Sequence, residues 1–113
     1  MNVQIFGTKK SFDSKKAERY FKERGIKYQF VDMKEKGLSK GEFNSVCQAV
    51  GGYEKLIDPK CKDKNLLALV QYLSEEDKKE KILEKQKIIR IPMVRNGKQA
   101  TVGYEPDVWK DWK

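Results

Sequence analysis

Residues 3–21 of this chain read VQIFGTKKSFDSKKAERYF, and this stretch decides the fold. Its apolar start, which ends at Gly7, predicts a short buried strand, and a helical pattern follows after a polar loop. A strand that runs into a helix N-terminus brings backbone N–H groups and the positive end of the helix dipole to one point, which suits a thiolate or an oxyanion. The loop contains Ser11 and Ser14 but no cysteine. The sequence therefore predicts an anion-binding geometry without its usual nucleophile.

Composition indicates one soluble domain with a basic surface. The chain has 113 residues and a formal net charge of +8, which favours acidic protein faces, nucleic acid or anionic ligands as partners. The basic residues are dispersed along the chain, so a solvated lysine-rich surface also explains the charge. No apolar run approaches the roughly 20 residues that span a bilayer. We expect a cytoplasmic monomer that does not bind membranes.

The titratable residues exclude several kinds of site. The chain has no histidine, which removes the usual general base and the commonest metal ligand. Its two cysteines, Cys47 and Cys61, do not form a CxxC pair. Two separated cysteines do not make a zinc site by themselves, so we expect neither a metal site nor a cofactor.

The first half of the chain predicts a βαβ unit followed by a capped helix. We expect Ser11 together with Asp13 or Ser14 to cap the first helix, with residues 15–24 as its body and Gly25 just beyond its end. A second strand over residues 27–33 would then run parallel to the first. Further on, Ser39 and Glu42 form a capping box, which opens a helix that stops at Gly51 and Gly52.

The second half predicts a helical block, a hairpin and a last helix. After a helical turn at 53–57, residues 65–73 predict a buried helix, and Ser74 opens another that runs to about residue 86. Asn96-Gly97 favours a type I′ hairpin between strands 93–95 and 98–102. The final helix is expected to run from about residue 106 to the end. This order predicts an α/β, thioredoxin-like fold with a four-stranded mixed sheet and an inserted helical block.

Several short motifs point to a known family. The sequence has FGTKK at 6–10, KKA at 15–17, GL at 37–38 and IPMV at 91–94, with GY at 103–104. In this order and spacing, the chain resembles the ArsC/Spx family of arsenate reductase-related, thioredoxin-fold proteins along most of its length, as a single domain over 1–113. The resemblance implies a cis peptide bond before Pro92, beside the active loop.

The resemblance also implies where the functional residues would lie. The reactive cysteine of the family corresponds to Ser11, and the second cysteine of the Spx-like CxxC switch corresponds to Ser14. A serine hydroxyl is a far weaker acid than a thiol and forms no disulfide. The anion-binding arginines correspond to neutral or acidic residues, with only Lys60 near one of them. The implied binding loop comprises Thr8, Lys9, Lys10, Ser11 and Phe12, together with Ile91 and Pro92.

Two functions follow from these observations. The first is a non-catalytic binding or regulatory protein, whose partner would be an acidic protein such as RNA polymerase. The alternative is a glutaredoxin-like thiol oxidoreductase or arsenate reductase relative that uses glutathione or another thiol. It would act through Cys61, which lies between two lysines, or through a natural cysteine that serine replaces at position 11. We expect Cys47 to be buried on a helix face.

Direct nucleic-acid binding is a third function, which the sequence argues against. Most aromatic residues fall at core-facing positions of the predicted helices and strands, and no nucleic-acid recognition motif is present.

Overall fold

Four β-strands and five α-helices are distributed along residues 1–113, all of which are described by this computed structural model. The elements are β1 (Val3–Gly7), α1 (Phe12–Glu23), β2 (Tyr28–Asp32), α2 (Lys40–Val50), α3 (Lys64–Tyr72), α4 (Glu75–Glu84), β3 (Met93–Asn96), β4 (Gln99–Val102) and α5 (Pro106–Trp109). Single 3-10 turns occupy Tyr53–Leu56 and Gln86–Ile88.

The sheet is mixed and has the order β2-β1-β3-β4. β1 runs parallel to β2 and antiparallel to β3, and β4 is antiparallel to β3. The helices α2, α3 and α4 all lie between β2 and β3 in the chain; we call them the helical block. This arrangement is a thioredoxin-like fold with an inserted helical block, which confirms the fold class predicted from the sequence.

Each face of the sheet has its own hydrophobic core, because consecutive side chains of a strand point to opposite faces. Ile5 of β1 packs with α1 and α5, while Phe6 packs with the helical block. Trp109 of α5 is buried in the first of these cores, and its indole Nε1 donates a hydrogen bond to Thr101 Oγ1 at 2.7 Å. None of the five α-helices has the length and apolar content that a membrane-spanning helix requires.

Helix α1 begins earlier than the sequence predicted. Its N-cap is Ser11 alone, so the first turn includes Asp13 and Ser14, which were expected to share the capping. The end was predicted correctly: Gly25 has a φ of +68°, and the Ile26 N–H donates to the Phe21 carbonyl at 2.9 Å. This is a Schellman motif, which glycine allows because it tolerates a positive φ. β2 is also shorter than the predicted 27–33.

The predicted buried helix at 65–73 is amphipathic instead. Leu66 and Val70 of α3 face the core, whereas Leu69 is 45% exposed and Tyr72 is 87% exposed. An apolar run does not by itself show which residues are buried, and here only one side of the helix meets other elements. Helix α4 ends at Glu84, before the predicted residue 86, and a 3-10 turn follows.

The hairpin turn and the last helix also differ from the prediction. The two-residue loop is Gly97-Lys98, because Asn96 still pairs with Gln99. Only Gly97 has a positive φ, of 61°, whereas a type I′ turn needs two such residues; a glycine at the first loop position is the pattern of a type II′ turn. Helix α5 ends at Trp109, although Trp112 beyond it is buried as predicted.

A pH-dependent contribution to stability is expected from Asp63. This carboxylate caps α3 by accepting from the Leu66 N–H at 3.0 Å, and it pairs with Lys87 Nζ at 2.8 Å. The hydrogen bond from Lys87, followed by that from Leu66, lowers the pKa of Asp63. Its stabilisation is therefore complete above the unfolded pKa of about 3.9 and is lost as the pH falls through the lower folded value.

The Asp63→Asn variant tests this contribution, because asparagine also caps helices but does not titrate. Urea unfolding between pH 2 and pH 7 should show a smaller loss of stability on acidification for this variant than for the parent chain. Asp63→Ala should have a lower free energy of unfolding at pH 7 than Asp63→Asn, since alanine cannot cap α3. Equal pH profiles for Asp63→Asn and the parent would contradict the prediction.

Candidate functional site

The loop of residues 8–11 joins β1 to α1 at the centre of the sheet. Phe6 pairs with Met93 in the antiparallel register of β1 and β3, so extending that register by one residue places Pro92 opposite Gly7, where the loop begins. Pro92 is buried, and the Ile91–Pro92 peptide bond is cis, as expected from the sequence. The structure thus brings Pro92 to the end of β1 that leads into the loop.

The Ser11 hydroxyl caps α1. Its Oγ accepts a hydrogen bond from the Ser14 backbone N–H at 3.2 Å, and its carbonyl accepts from the Lys15 N–H at 3.1 Å. The Ser11 N–H in turn donates to the Thr8 carbonyl at 3.3 Å. These bonds satisfy donors that the first turn of a helix otherwise leaves free. The side chain at the position where the resemblance places the reactive cysteine therefore has a structural role.

The Ser14 hydroxyl ties the loop back to the helix. Ser14 is fully buried, and its Oγ accepts a hydrogen bond from the Thr8 N–H at 3.3 Å. The side chain lies against Gly7: a Cβ built at Gly7 would be 2.2 Å from Ser14 Oγ and 2.8 Å from Ser14 Cβ. Only glycine fits at position 7 beside this serine. The sequence reasoning missed this role of Gly7, although a glycine that ends a strand just before a helix is a signal for close approach.

Removing the cap should weaken the fold modestly. Ser11→Ala is expected to lower the free energy of unfolding by about 1 kcal/mol, because the Ser14 N–H loses its acceptor. Ser11→Asp retains a capping oxygen and should remain close to the parent chain. Urea unfolding followed by tryptophan fluorescence measures both variants. Equal stability for alanine and aspartate would show that the cap contributes nothing.

A patch of cations and aromatic rings surrounds the loop on its exposed side. Phe12, the first residue of α1, is 73% exposed. Lys16 Nζ lies 5.0 Å from the centre of the Phe12 ring and 5.3 Å from that of Tyr104. Lys9 and Lys10 are exposed in the loop itself. We call these five residues the loop patch: Lys9, Lys10, Phe12, Lys16 and Tyr104. Sequence reasoning missed the contributions of Lys16 and Tyr104.

No hydrogen bond or ion pair joins residue 91, Lys60 or Arg90 to the loop. Ile91, directly before Pro92, is half-buried and carries no charge. Lys60 is exposed in a turn in which its N–H donates to the Asp58 carboxylate at 2.9 Å. Arg90 lies against Gly103 and lines a cleft beside β4, and no residue of the loop lines that cleft.

The structure corrects the expectation for Cys61. The sequence placed this residue in an exposed loop between lysines, but it is buried in the core of the helical block, and its thiol donates to the Lys87 carbonyl at 3.7 Å. Burial of this kind blocks access by a disulfide or an oxyanion. Cys61 is thus a core residue, and the alternative function loses its candidate thiol.

Cys47 is half-buried in α2, where the sequence expected a buried helix-face residue. Burial raises the pKa of this thiol, and the charge of Lys79 opposes that shift. Neither cysteine belongs to the loop, and nowhere in the chain do three or more His, Cys, Asp or Glu side chains cluster to hold a metal ion. The available chemistry at the loop is therefore that of the hydroxyl groups of Thr8, Ser11 and Ser14, backbone amides and exposed cations.

Comparison with known proteins gives a consistent result. The ArsC family model matches residues 6–112. An arsenate reductase from Vibrio cholerae is 24% identical, with a TM-score of 0.82, and the match covers 96% of this chain and 94% of that one. An ArsC family related protein from Bacteroides fragilis is 18% identical, with a TM-score of 0.86 and coverage of 100% and 98%.

A third structure, SACOL0876 from Staphylococcus aureus COL, is 23% identical, with a TM-score of 0.78 and coverage of 96% of both chains. At these identities the likeness to solved structures concerns the fold. No curated protein matches the chain.

Proposed function

The chain belongs to the ArsC family. We propose that within this family it is a non-catalytic binding or regulatory protein rather than a reductase. The single observation that carries the proposal is that the hydroxyls of Ser11 and Ser14, where the resemblance places cysteines, both serve in structural hydrogen bonds. Ser11 Oγ caps α1 and Ser14 Oγ holds the Thr8 N–H. The loop lies where the family resemblance places the reactive cysteine, but it has no thiol to attack an oxyanion or a disulfide.

Activation of Ser11 as a nucleophile is also unsupported. A serine needs a neighbouring general base, and the chain has no histidine. Positively charged side chains that clamp an oxyanion add directional, charge-assisted hydrogen bonds. Ile91 and Glu105, at two of the positions where family resemblance places arginines, supply none.

The loop patch is the surface proposed for binding. Its exposed aromatic ring at Phe12 lies beside the Lys16 ammonium, and the exposed Lys9 and Lys10 precede it in the loop. Aromatic anchors bordered by charge are typical of protein interfaces, where the charges steer a partner of opposite sign. The net charge of +8 strengthens that attraction. We infer an acidic protein partner, and the family resemblance makes RNA polymerase a candidate for it.

Site-specific photocrosslinking tests this proposal. A benzophenone side chain at position 12 should crosslink an acidic protein in cells that express the full chain. The same side chain at position 72 is the matched control, because Tyr72 is an even more exposed aromatic residue that lies outside the patch. Lys9→Glu with Lys10→Glu should remove the crosslink at position 12. The proposal would be contradicted if positions 12 and 72 crosslinked equally, or if the crosslink at position 12 persisted in the Lys9→Glu, Lys10→Glu variant.

A direct assay tests the non-catalytic part. The unmodified chain should not accelerate arsenate reduction when NADPH consumption is coupled through glutaredoxin or thioredoxin. Sustained turnover would overturn the proposal, and loss of that turnover in Cys61→Ser would assign it to Cys61.

A further inference from the structure

A cleft of about 540 Å³ runs beside β4, which is an edge strand of the sheet. Residues 100–102 of β4 line it, with Val50 and Lys55 on one side and Val108 on the other. Val50 packs with the core of the helical block, whereas Val108 belongs to α5, which covers the opposite face. A cleft that contacts both faces as well as β4 lies at the open edge of the sheet.

The backbone groups of Ala100 and Val102 point into this opening. The Gly103 N–H donates to the Pro92 carbonyl at 2.7 Å, which identifies that pair as hydrogen-bonded across the hairpin. Along an antiparallel ladder, hydrogen-bonded pairs alternate with pairs that are not hydrogen-bonded. The pairs that contain Ala100 and Val102 are therefore of the second kind. Their N–H and C=O groups therefore face away from β3, and no other backbone or side-chain group pairs with them. A free edge of this kind is a template for another strand.

The charges around the edge favour an acidic occupant. Lys55 and Arg90 both line the cleft, and Glu105 is its only acidic residue. Neither cation takes part in a salt bridge; the two ion pairs of the protein lie elsewhere. Val108 also lines the cleft, is 42% exposed and offers an apolar contact. A second copy of this chain is disfavoured as the occupant, because it would bring the same cations against these and carries the same net charge of +8.

We propose that the edge of β4 binds an extended, acidic peptide segment of a partner protein by strand addition. Ala100 and Val102 supply the main-chain hydrogen bonds, which give affinity in this mode of recognition. Lys55 and Arg90 pair with carboxylates of the peptide, and Val50 and Val108 contact its aliphatic side chains. This site is separate from the loop patch and does not depend on the function proposed for that patch.

NMR titration of the full chain with a defined probe tests the proposal. The probe is a capped hexapeptide of alternating valine and glutamate. We expect its addition to shift the amide signals of Ala100 and Val102 and to slow their hydrogen exchange. Arg90→Glu should weaken the Kd about tenfold, because a charge-assisted hydrogen bond is lost. Lys36→Glu, which changes an exposed lysine next to the opposite edge strand, is the matched control and should have little effect.

Further peptides and variants distinguish strand addition from binding through charge alone. A hexapeptide N-methylated at alternate residues lacks half of its N–H groups and should not bind, and a peptide of alternating valine and lysine should bind much more weakly. Lys9→Glu with Lys10→Glu, which changes the loop patch, should weaken the affinity far less than Arg90→Glu does. The proposal is overturned if the probe does not bind, if it shifts the loop patch instead, or if Ala100 and Val102 are protected only by concentration-dependent dimers of the chain.

Discussion

Gly7→Ala is expected to lower the free energy of unfolding by about 2–3 kcal/mol, the upper part of the range of about 1–3 kcal/mol for overpacking a tight core. The added methyl group would lie 2.2 Å from Ser14 Oγ and 2.8 Å from Ser14 Cβ. The hydroxyl can rotate, but Ser14 Cβ is held by the first turn of α1, so the strand and the helix must separate. That movement would also stretch the hydrogen bond from the Thr8 N–H to Ser14 Oγ. Urea unfolding followed by tryptophan fluorescence measures the loss.

Two controls isolate the contact as the cause. Gly41→Ala adds the same methyl group in α2, where no atom lies within 4 Å, and should stabilise the protein slightly because alanine is the better helix former. Ser14→Gly removes both clashing atoms, so combining it with Gly7→Ala should give a double-mutant coupling of at least about 1 kcal/mol. Additive losses in the double variant would show that Gly7 is required for some other reason.

Ser11→Cys is expected to produce a thiol with a pKa below the value of about 8.5 for a free cysteine. The sulfur would replace an oxygen that already accepts from the Ser14 N–H at the start of a 12-residue helix. The helix dipole and exposed Lys9 and Lys10 stabilise a negative charge there. Alkylation by iodoacetamide at pH 7, followed by mass spectrometry of the labelled site, should be about tenfold faster than for an ordinary thiol.

The matched control is Ser39→Cys. Ser39 also caps a helix, and its Oγ accepts from the Glu42 N–H at 3.1 Å, but the Glu42 carboxylate bonds to the Ser39 N–H beside it. This carboxylate opposes a thiolate, so Cys at position 39 should react more slowly than Cys at position 11. Arsenate turnover should stay low in both variants, since neither gains an oxyanion clamp. Equal alkylation rates would show that the loop does not favour an anion.

The sequence determined the order and identity of most elements in this protein. Apolar spacing, the capping pair Ser39 and Glu42, and Gly25 act over a few residues, so their effects can be predicted from neighbouring positions alone. The absence of cysteine at positions 11 and 14 was equally evident from the motif. These local signals sufficed for the order of the elements in the thioredoxin-like fold and for the loop between β1 and α1.

Local patterns failed where two segments distant in the chain meet. The run of apolar residues at 65–73 predicted a buried helix, but burial depends on which side of α3 faces the core, and Leu69 and Tyr72 face outward. Cys61 likewise looked exposed between its lysines, yet the carbonyl of Lys87 and the core enclose it. Burial is a property of the assembled elements, which sequence neighbours do not specify.

The site and the cleft depended on tertiary structure in the same way. Only the folded chain places Tyr104 against Lys16 and Ser14 against Gly7. The free edge at Ala100 and Val102 follows from the strand order and from the hydrogen-bond alternation that the hairpin imposes. Sequence therefore determined which residues are available, and packing decided which of them meet, because contacts between distant segments form only when the sheet and its covering helices come together.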